Sequence, residues 1–486
     1  MSSHQAPTAG IVGAGIAGLS AATALRRAGF EVEVYERSQF SNEIGAAISA
    51  PPNATAALRR WGFDFAAAQT VPNLCTRYAA AGDLGTMVES RYEDIESVMG
   101  SPSLSFHRVD LHNGLRALAT EDGVLNGVGE DGKREGKGTP VTIRLGCEVR
   151  GVDCENGVLV LADGTRVQKD LVIIADGAHG NLLADFLGCP APSLPTGRSI
   201  YRWLVSMDDV MADPELAEQY CNKPPGFLGW VDSMRRILWV NYTCRGGTVL
   251  NSAVVHDTEG YPPSSSAQLE VKDDWHLPVD KESVLATLSN FHPAVRRIVS
   301  MASEDGIRVH RLFKRPPLES FVRGRTAVIG DTAHIMLPTH AAGAAIAIES
   351  ASVLEALFRD LEPQINGSAS CDGDRVDVGK AKNTNGWHQG TDERRAQVIR
   401  ERLRLFDKLR IPRCNLTMLV SNAGPEGLRV PGLEEEIRRF YHGPLPSTNA
   451  LPWTTEFREV LFHHDAFQEA EQALRDETER VKWGGA

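Results

Sequence analysis

Apolar and polar positions change their period several times along the chain, and each change predicts an element. Ile11 and Val12 lead into Gly13-Ala14-Gly15-Ile16-Ala17-Gly18, after which Leu19, Ala22 and Leu25 recur at helical spacing up to Gly29, a residue suited to ending a helix. Glu31 to Glu36 then alternates, with Val32 and Val34 on one side, so the opening predicts strand, helix, strand. Val158 to Leu161, the turn Ala162-Asp163-Gly164 and the stretch from Arg166 predict a hairpin. The unbroken apolar run Leu171 to Ile174 suits a central parallel strand buried on both faces. Thr326 to Ile329 is another short apolar strand, and Gly343 to Leu357 has the small residues of a closely packed helix. Ala396, Ile399, Leu403 and Phe406 recur every three or four residues with Arg395, Arg400, Arg402 and Lys408 between them, which predicts an amphipathic helix with a solvated basic face.

The region between the early and late blocks differs in character. It carries aromatic and β-branched stretches such as Ile237-Leu238-Trp239-Val240-Asn241-Tyr242 and many turn residues, so a second, sheet-rich domain is expected to interrupt the first. The expected division places a discontinuous nucleotide-binding domain at residues 1–75, 103–190 and 305–360, and a substrate domain at 76–102 and 191–304. A polar insertion follows at 361–392, with Pro363 to Thr391 rich in Asn, Gly, Ser and Asp and holding few apolar residues, and Gly127 to Gly138 is a smaller stretch of the same kind. A helical C-terminal region takes 393–486. The fold class is therefore α/β: a Rossmann-like domain, a β-sheet-rich domain and C-terminal helices.

Composition narrows the chemistry. The 486 residues hold 42% hydrophobic and 23% charged side chains, enough for a large core. With 51 Lys+Arg against 63 Asp+Glu, 51 − 63 gives −12, a field that disfavours nucleic acid or an anionic membrane as partner. The eight cysteines are scattered, without paired CxxC spacing or scaffold density, which fits a reducing interior. No signal-like start and no long apolar run is visible, so no transmembrane segment and a cytoplasmic location are expected.

Gly13, Gly15 and Gly18 fit a dinucleotide fingerprint for physical reasons. The first permits the tight turn, the second lets the backbone meet a pyrophosphate, and the third allows close packing of helix on strand. Glu36, at the end of the second strand, is placed for a carboxylate to accept both ribose hydroxyls of an adenosine half.

Two later segments separate a flavin from a nicotinamide. Asp176-Gly177-Ala178-His179 follows the hairpin and strand. Gly330-Asp331-Thr332-Ala333-His334 is followed by Leu337-Pro338 and Gly343-Ala344-Ala345. With these motifs in this order, the chain resembles the group A FAD-dependent aromatic monooxygenases, the salicylate-hydroxylase-like branch of the para-hydroxybenzoate hydroxylase superfamily. The resemblance implies FAD as cofactor and NAD(P)H as cosubstrate. It further implies that Asp176 and Asp331 serve the cofactor, with Asp331 on ribityl hydroxyls, and that the helix beginning at Gly343 and Ala344 stabilises negative charge on the reduced ring. His107-Arg108-Val109-Asp110-Leu111 matches the family's arginine element, so Arg108 is the expected cofactor arginine; its alternative is a surface ion pair with Asp110. Ala47, in Gly45-Ala46-Ala47-Ile48, is small enough for its backbone to approach the cofactor. Gly180, Leu183, Ile335, Ala342 and Ser350 depart from residues common in the family.

The function this implies is hydroxylation of an aromatic, phenolic or related small molecule with O2, through a flavin hydroperoxide. Arg202, in Tyr201-Arg202-Trp203, is the candidate to stabilise a substrate oxyanion, and Tyr242 the candidate to hydrogen-bond to it. His463 and His464 are adjacent, which sets them apart on a helix, so no metal site is expected. His340 stands close before the flavin-facing helix, within reach of substrate. A homodimer is allowed by this reading. A flavin oxidase or dehydrogenase, or a non-enzymatic binding protein on the same fold, remains the alternative.

Overall fold

The computed structural model describes residues 6–40, 46–122, 138–258, 277–361, 384–451 and 454–483. Gly45, nearly all of the Gly127–Gly138 stretch, and the Pro363–Thr391 stretch up to residue 383 lie outside them.

Leu171–Ile174 is buried at all four positions because it runs parallel between Thr8–Val12 on one side and Thr326–Val328 on the other. The complete sheet has six strands, in the order Val322–Arg323, Thr326–Val328, Leu171–Ile174, Thr8–Val12, Glu31–Glu36 and Thr142–Leu145. The helices Ile16–Arg27 and Gly343–Phe358 pack on one another, and their alanines and glycines set how closely they approach. The expected hairpin forms with Val158 opposite Gln168, and Gly164 takes a positive φ of 86° at its turn.

An eight-stranded sheet makes the second unit, in the order Leu277–Pro278, Arg308–Lys314, Leu194–Ser206, Val249–Asp257, Ile237–Cys244, Gly226–Asp232, Cys75–Ala80 and Thr86–Arg91. Trp203, Trp230 and Trp239 fill one face, covered by helices Lys281–Thr287 and Pro293–Met301. The sheet runs to Lys314, past the boundary at 304 drawn from the sequence. The alternation of that last strand is masked by Arg308, His310, Arg311 and Lys314, whose charges hide its half-buried face.

The C-terminal region packs a third core, including Leu416, Leu419, Ile437, Phe457 and Leu461, against the Thr384–Asn422 helix. Ala396, Ile399, Leu403 and Phe406 are buried, as the periodicity predicts. The intervening basic residues are not simply solvated: Arg402 is buried, and Arg395 lies 3.5 Å from Asp170. Deeper still, Glu349 on the Gly343–Phe358 helix has no exposed surface. It accepts bonds from Arg410, from Arg413 at 3.2 Å and from Asn53 at 2.7 Å. This cluster fastens the C-terminal helix to the nucleotide domain.

Candidate active site

The glycine-rich loop shows three different demands at three positions. A Cβ on Gly13, where φ is 95°, would lie 2.4 Å from the Ala175 carbonyl, and one on Gly18 only 1.9 Å from the Gly13 carbonyl. A Cβ on Gly15 would meet nothing within 4 Å. Gly13 and Gly18 are thus required by packing, whereas Gly15 borders open space at the start of the Ile16–Arg27 helix, which has no side-chain cap. Glu36 reaches this loop: its Oε2 accepts from Ala14 N–H and its Oε1 from Ser38 N–H, each at 2.8 Å. Each oxygen keeps a lone pair for a further donor. Gly15→Val is therefore expected to weaken FAD binding about tenfold or more, measured by titrating the apoprotein with FAD. Gly18→Ala is expected to lower stability by about 1–3 kcal/mol, read by thermal unfolding of the same apoprotein.

Across the loop, Gly330 adopts φ 65° and fits tightly over Ala17, whose Cβ a Gly330 Cβ would approach to 2.6 Å. That contact brings the Asp331 segment onto the dinucleotide loop. The Asp331 carboxylate keeps an exposed surface inside a recess walled by protein, and a Cβ on Gly343 would be 3.9 Å from its Oδ1. Burial raises its pKa, against the pull of His334, Arg315 and Arg108. It makes no hydrogen bond among the described residues, so it does not act as a turn cap. The Gly343–Phe358 helix also begins without a side-chain cap, which leaves its first N–H groups free for an anionic group.

Asp176 is used differently. Its Oδ1 accepts from Thr332 Oγ1 at 2.9 Å and its Oδ2 from Leu182 N–H at 3.1 Å, and Gly177 N–H donates to the same Thr332 hydroxyl at 2.8 Å. The carboxylate thus ties the segment from Asp176 to the segment from Gly330. Arg315 completes this tie, donating to the Thr332 carbonyl and to Ser193 at 3.0 Å each.

Arg108 opens the Arg108–Thr120 helix, and its N–H donates to Ala46 O at 2.7 Å. Asp110 is held instead by Arg245 in a bidentate pair at 2.9 and 3.0 Å, so the alternative ion pair for Arg108 does not form. Ala47 is clamped from the second sheet, with its N–H donating to Asn251 Oδ1 at 3.1 Å and its carbonyl accepting from Tyr242 O–H at 2.8 Å. The Tyr242 proton is therefore engaged, and burial pushes its pKa up to about 12. Arg202 is half-buried and has no hydrogen-bond or ion-pair partner among the described residues. Burial lowers its pKa, with Tyr242 opposing and Arg108 adding to the shift, yet a guanidinium stays charged.

His340 is buried, stacked on Phe457 at 5.1 Å, with its pKa pushed down to about 3 by burial. It lines a narrow cavity of about 10 Å³ with Tyr92, Phe227 and Arg458, room for a single water. Asn251, Thr332 and Arg315 escape a reading of the sequence. Asn251 alone leaves a trace, as a polar residue that shares its strand face with Val249, Ala253 and Val255.

The features at the loop and recess fit FAD: an open side at Gly15, two uncapped helix starts and, among the described residues, an unbonded Asp331 carboxylate and an unpaired Arg108 guanidinium. One domain that grips a dinucleotide, and another that turns a polar sheet face toward its far end, define a flavin-dependent oxidoreductase. Residues 11–49 match the NAD(P)-binding Rossmann-like domain. The chain is 32% identical over 362 residues to hispidin-3-hydroxylase of Neonothopanus nambi, covering 72% of this chain and 79% of that protein. It is 30% identical over 472 residues to the FAD-dependent monooxygenase cfoG of Aspergillus candidus, covering 96% and 93%. A salicylate hydroxylase substrate complex shares the fold, with a TM-score of 0.66 at 21% identity over 96% of this chain and 98% of that one. The chain belongs to the FAD-dependent monooxygenases, enzymes that use FAD with NAD(P)H. Among the described residues, no helix is long and apolar enough to cross a membrane.

Proposed function

We propose that the protein hydroxylates an aromatic, phenol-like small molecule with one atom of O2, and that Arg202 holds the reacting ring as its phenolate. The observation that carries this is the half-buried Arg202 guanidinium, without a counter-charge among the described residues, on the sheet face that meets Ala47 and Arg108. Bound FAD supplies the acceptor for hydride from NAD(P)H and the site at which O2 is activated.

The remaining work falls to the chain. The Gly13–Gly18 loop and Glu36 hold the dinucleotide, Arg108 meets its negative oxygens, and Asp331 accepts from ribityl hydroxyls. The first N–H groups at Gly343 and Ala344 stabilise negative charge that develops on the ring system. Tyr242 and Asn251 keep Ala47 against the cofactor. Arg202 favours loss of the phenol proton, which makes the ring electron-rich, and the sheet excludes water from it.

The test uses the purified protein with NAD(P)H, candidate phenols and labelled dioxygen. Visible flavin absorption and one labelled oxygen in the product are expected. Peroxide formed in step with NAD(P)H consumption, with no oxygenated product for any phenol, would replace this reading with an oxidase.

A further inference from the structure

The backbone of the dinucleotide loop is tied down group by group. Gly13 N–H donates to the Tyr35 carbonyl at 2.9 Å and Ala14 N–H to Glu36 Oε2 at 2.8 Å, while the Gly15 carbonyl accepts from Leu19 N–H at 2.9 Å as the helix begins. The Ala14 carbonyl lies 2.8 Å from His112 Nε2. A carbonyl oxygen only accepts, so Nε2 carries a proton and donates it. Gly15 N–H, in the same peptide group as that carbonyl, donates to none of the described residues.

A trans peptide points its C=O and N–H in opposite directions. Drawing the Ala14 oxygen onto His112 therefore aims Gly15 N–H away from the imidazole. Without that bond the Ala14–Gly15 peptide can turn over, because glycine accepts the new φ without a Cβ penalty. Turned over, it presents an oxygen lone pair where a donor stood, and a lone pair repels a phosphate oxygen. The imidazole excludes that orientation before any ligand arrives, so binding energy is not spent on correcting it.

His112 is placed to hold this setting. It is buried on the Arg108–Thr120 helix, and its ring stands edge-on to Phe40 with centroids 5.0 Å apart. Arg108 lies four residues earlier, on the same side of that helix. One helix thus carries both the guanidinium expected at the cofactor and the imidazole that sets the loop.

We propose that His112 is a positioning residue for FAD: its Nε2–H fixes the Ala14–Gly15 peptide so that Gly15 N–H is presented to the pyrophosphate. This rests on the assignment of the loop to FAD and adds a residue outside the glycine fingerprint to it.

The test titrates wild-type, His112→Phe and His112→Gln apoproteins with FAD and follows the flavin fluorescence. Phe keeps an aromatic ring against Phe40 and loses the donor, whereas Gln keeps a donor and loses the ring. His112→Phe is expected to bind FAD about tenfold or more weakly, the loss of one buried bond expressed as affinity. His112→Gln is expected to stay within about threefold of wild type. A role confined to packing predicts the reverse order, so a Gln protein weaker than the Phe protein overturns the inference. Affinity of the Phe protein within about twofold of wild type overturns it too. So does a Phe protein that fails to fold with FAD present, which assigns the bond to the core rather than to the cofactor. A wild-type apoprotein that takes up no FAD fails differently, since it removes the cofactor from the loop altogether.

Discussion

Glu349→Ala is expected to lower the unfolding free energy by about 3–5 kcal/mol, the cost of breaking a buried ion pair by removing one partner. One carboxylate without exposed surface stands between the guanidiniums of Arg410 and Arg413, with His464 Nε2 at 3.5 Å and the Asn53 amide as further neighbours. Its loss leaves two buried cations of the Thr384–Asn422 helix packed against the helix that begins at Gly343 without the carboxylate that they share. Burial opposes ionisation of Glu349, and the two guanidiniums outweigh it, holding the carboxyl well below its ordinary 4.5. A group with a depressed folded pKa contributes stability that is complete above the unfolded value and is lost as pH falls through the folded one. The gap between wild type and Glu349→Ala should therefore be constant from neutrality down to the ordinary carboxylate range and narrow only in stronger acid. Urea unfolding across that pH series measures it. A Glu349→Ala protein within 1 kcal/mol of wild type at neutral pH, the range of an exposed pair, would remove this role.

The contrast between this cluster and the glycine loop shows what a sequence makes legible. Gly13, Gly15, Gly18 and Glu36 act within one strand-helix-strand unit, so their spacing carries their geometry. The flavin segments at Asp176 and Asp331 are read through resemblance, and the contact between them depends on Thr332, a residue unremarkable by type. Glu349, Arg410 and Arg413 are ordinary charged residues of helices, and only the tertiary packing of two helices far apart in sequence makes them a buried triad. The same holds for Arg108: Asp110, two residues on, is its natural partner in sequence, but Arg245 takes that carboxylate from the other sheet. Asp176 shows the reverse case, where a residue marked for cofactor contact has both carboxylate oxygens engaged within the protein.

Arg202→Met is expected to lower hydroxylation by about 100- to 1000-fold, the usual cost of removing a group aimed at an oxyanion in a water-poor site. Flavin content should be unchanged, because Arg202 lies on the Leu194–Ser206 strand and, among the described residues, its side chain bonds to no residue of the nucleotide loop. NAD(P)H oxidation should continue without oxygenated product, so the loss appears as uncoupling. The pH profile separates a role in ionising the phenol from a role in packing. With Arg202 present, the phenol ionises below its solution pKa and product formation should vary little above neutrality. Without it, the ring must lose its proton unaided, so residual hydroxylation should climb with pH toward the pKa of the free phenol. A packing defect predicts a loss that is the same at every pH. Tyr242→Phe is the matched control: it removes the bond to the Ala47 carbonyl, worth about 0.5–1.5 kcal/mol, and is expected to weaken FAD binding with the pH profile unchanged. Full coupling in Arg202→Met across that pH range would exclude the guanidinium from the chemistry and leave it a residue of the sheet.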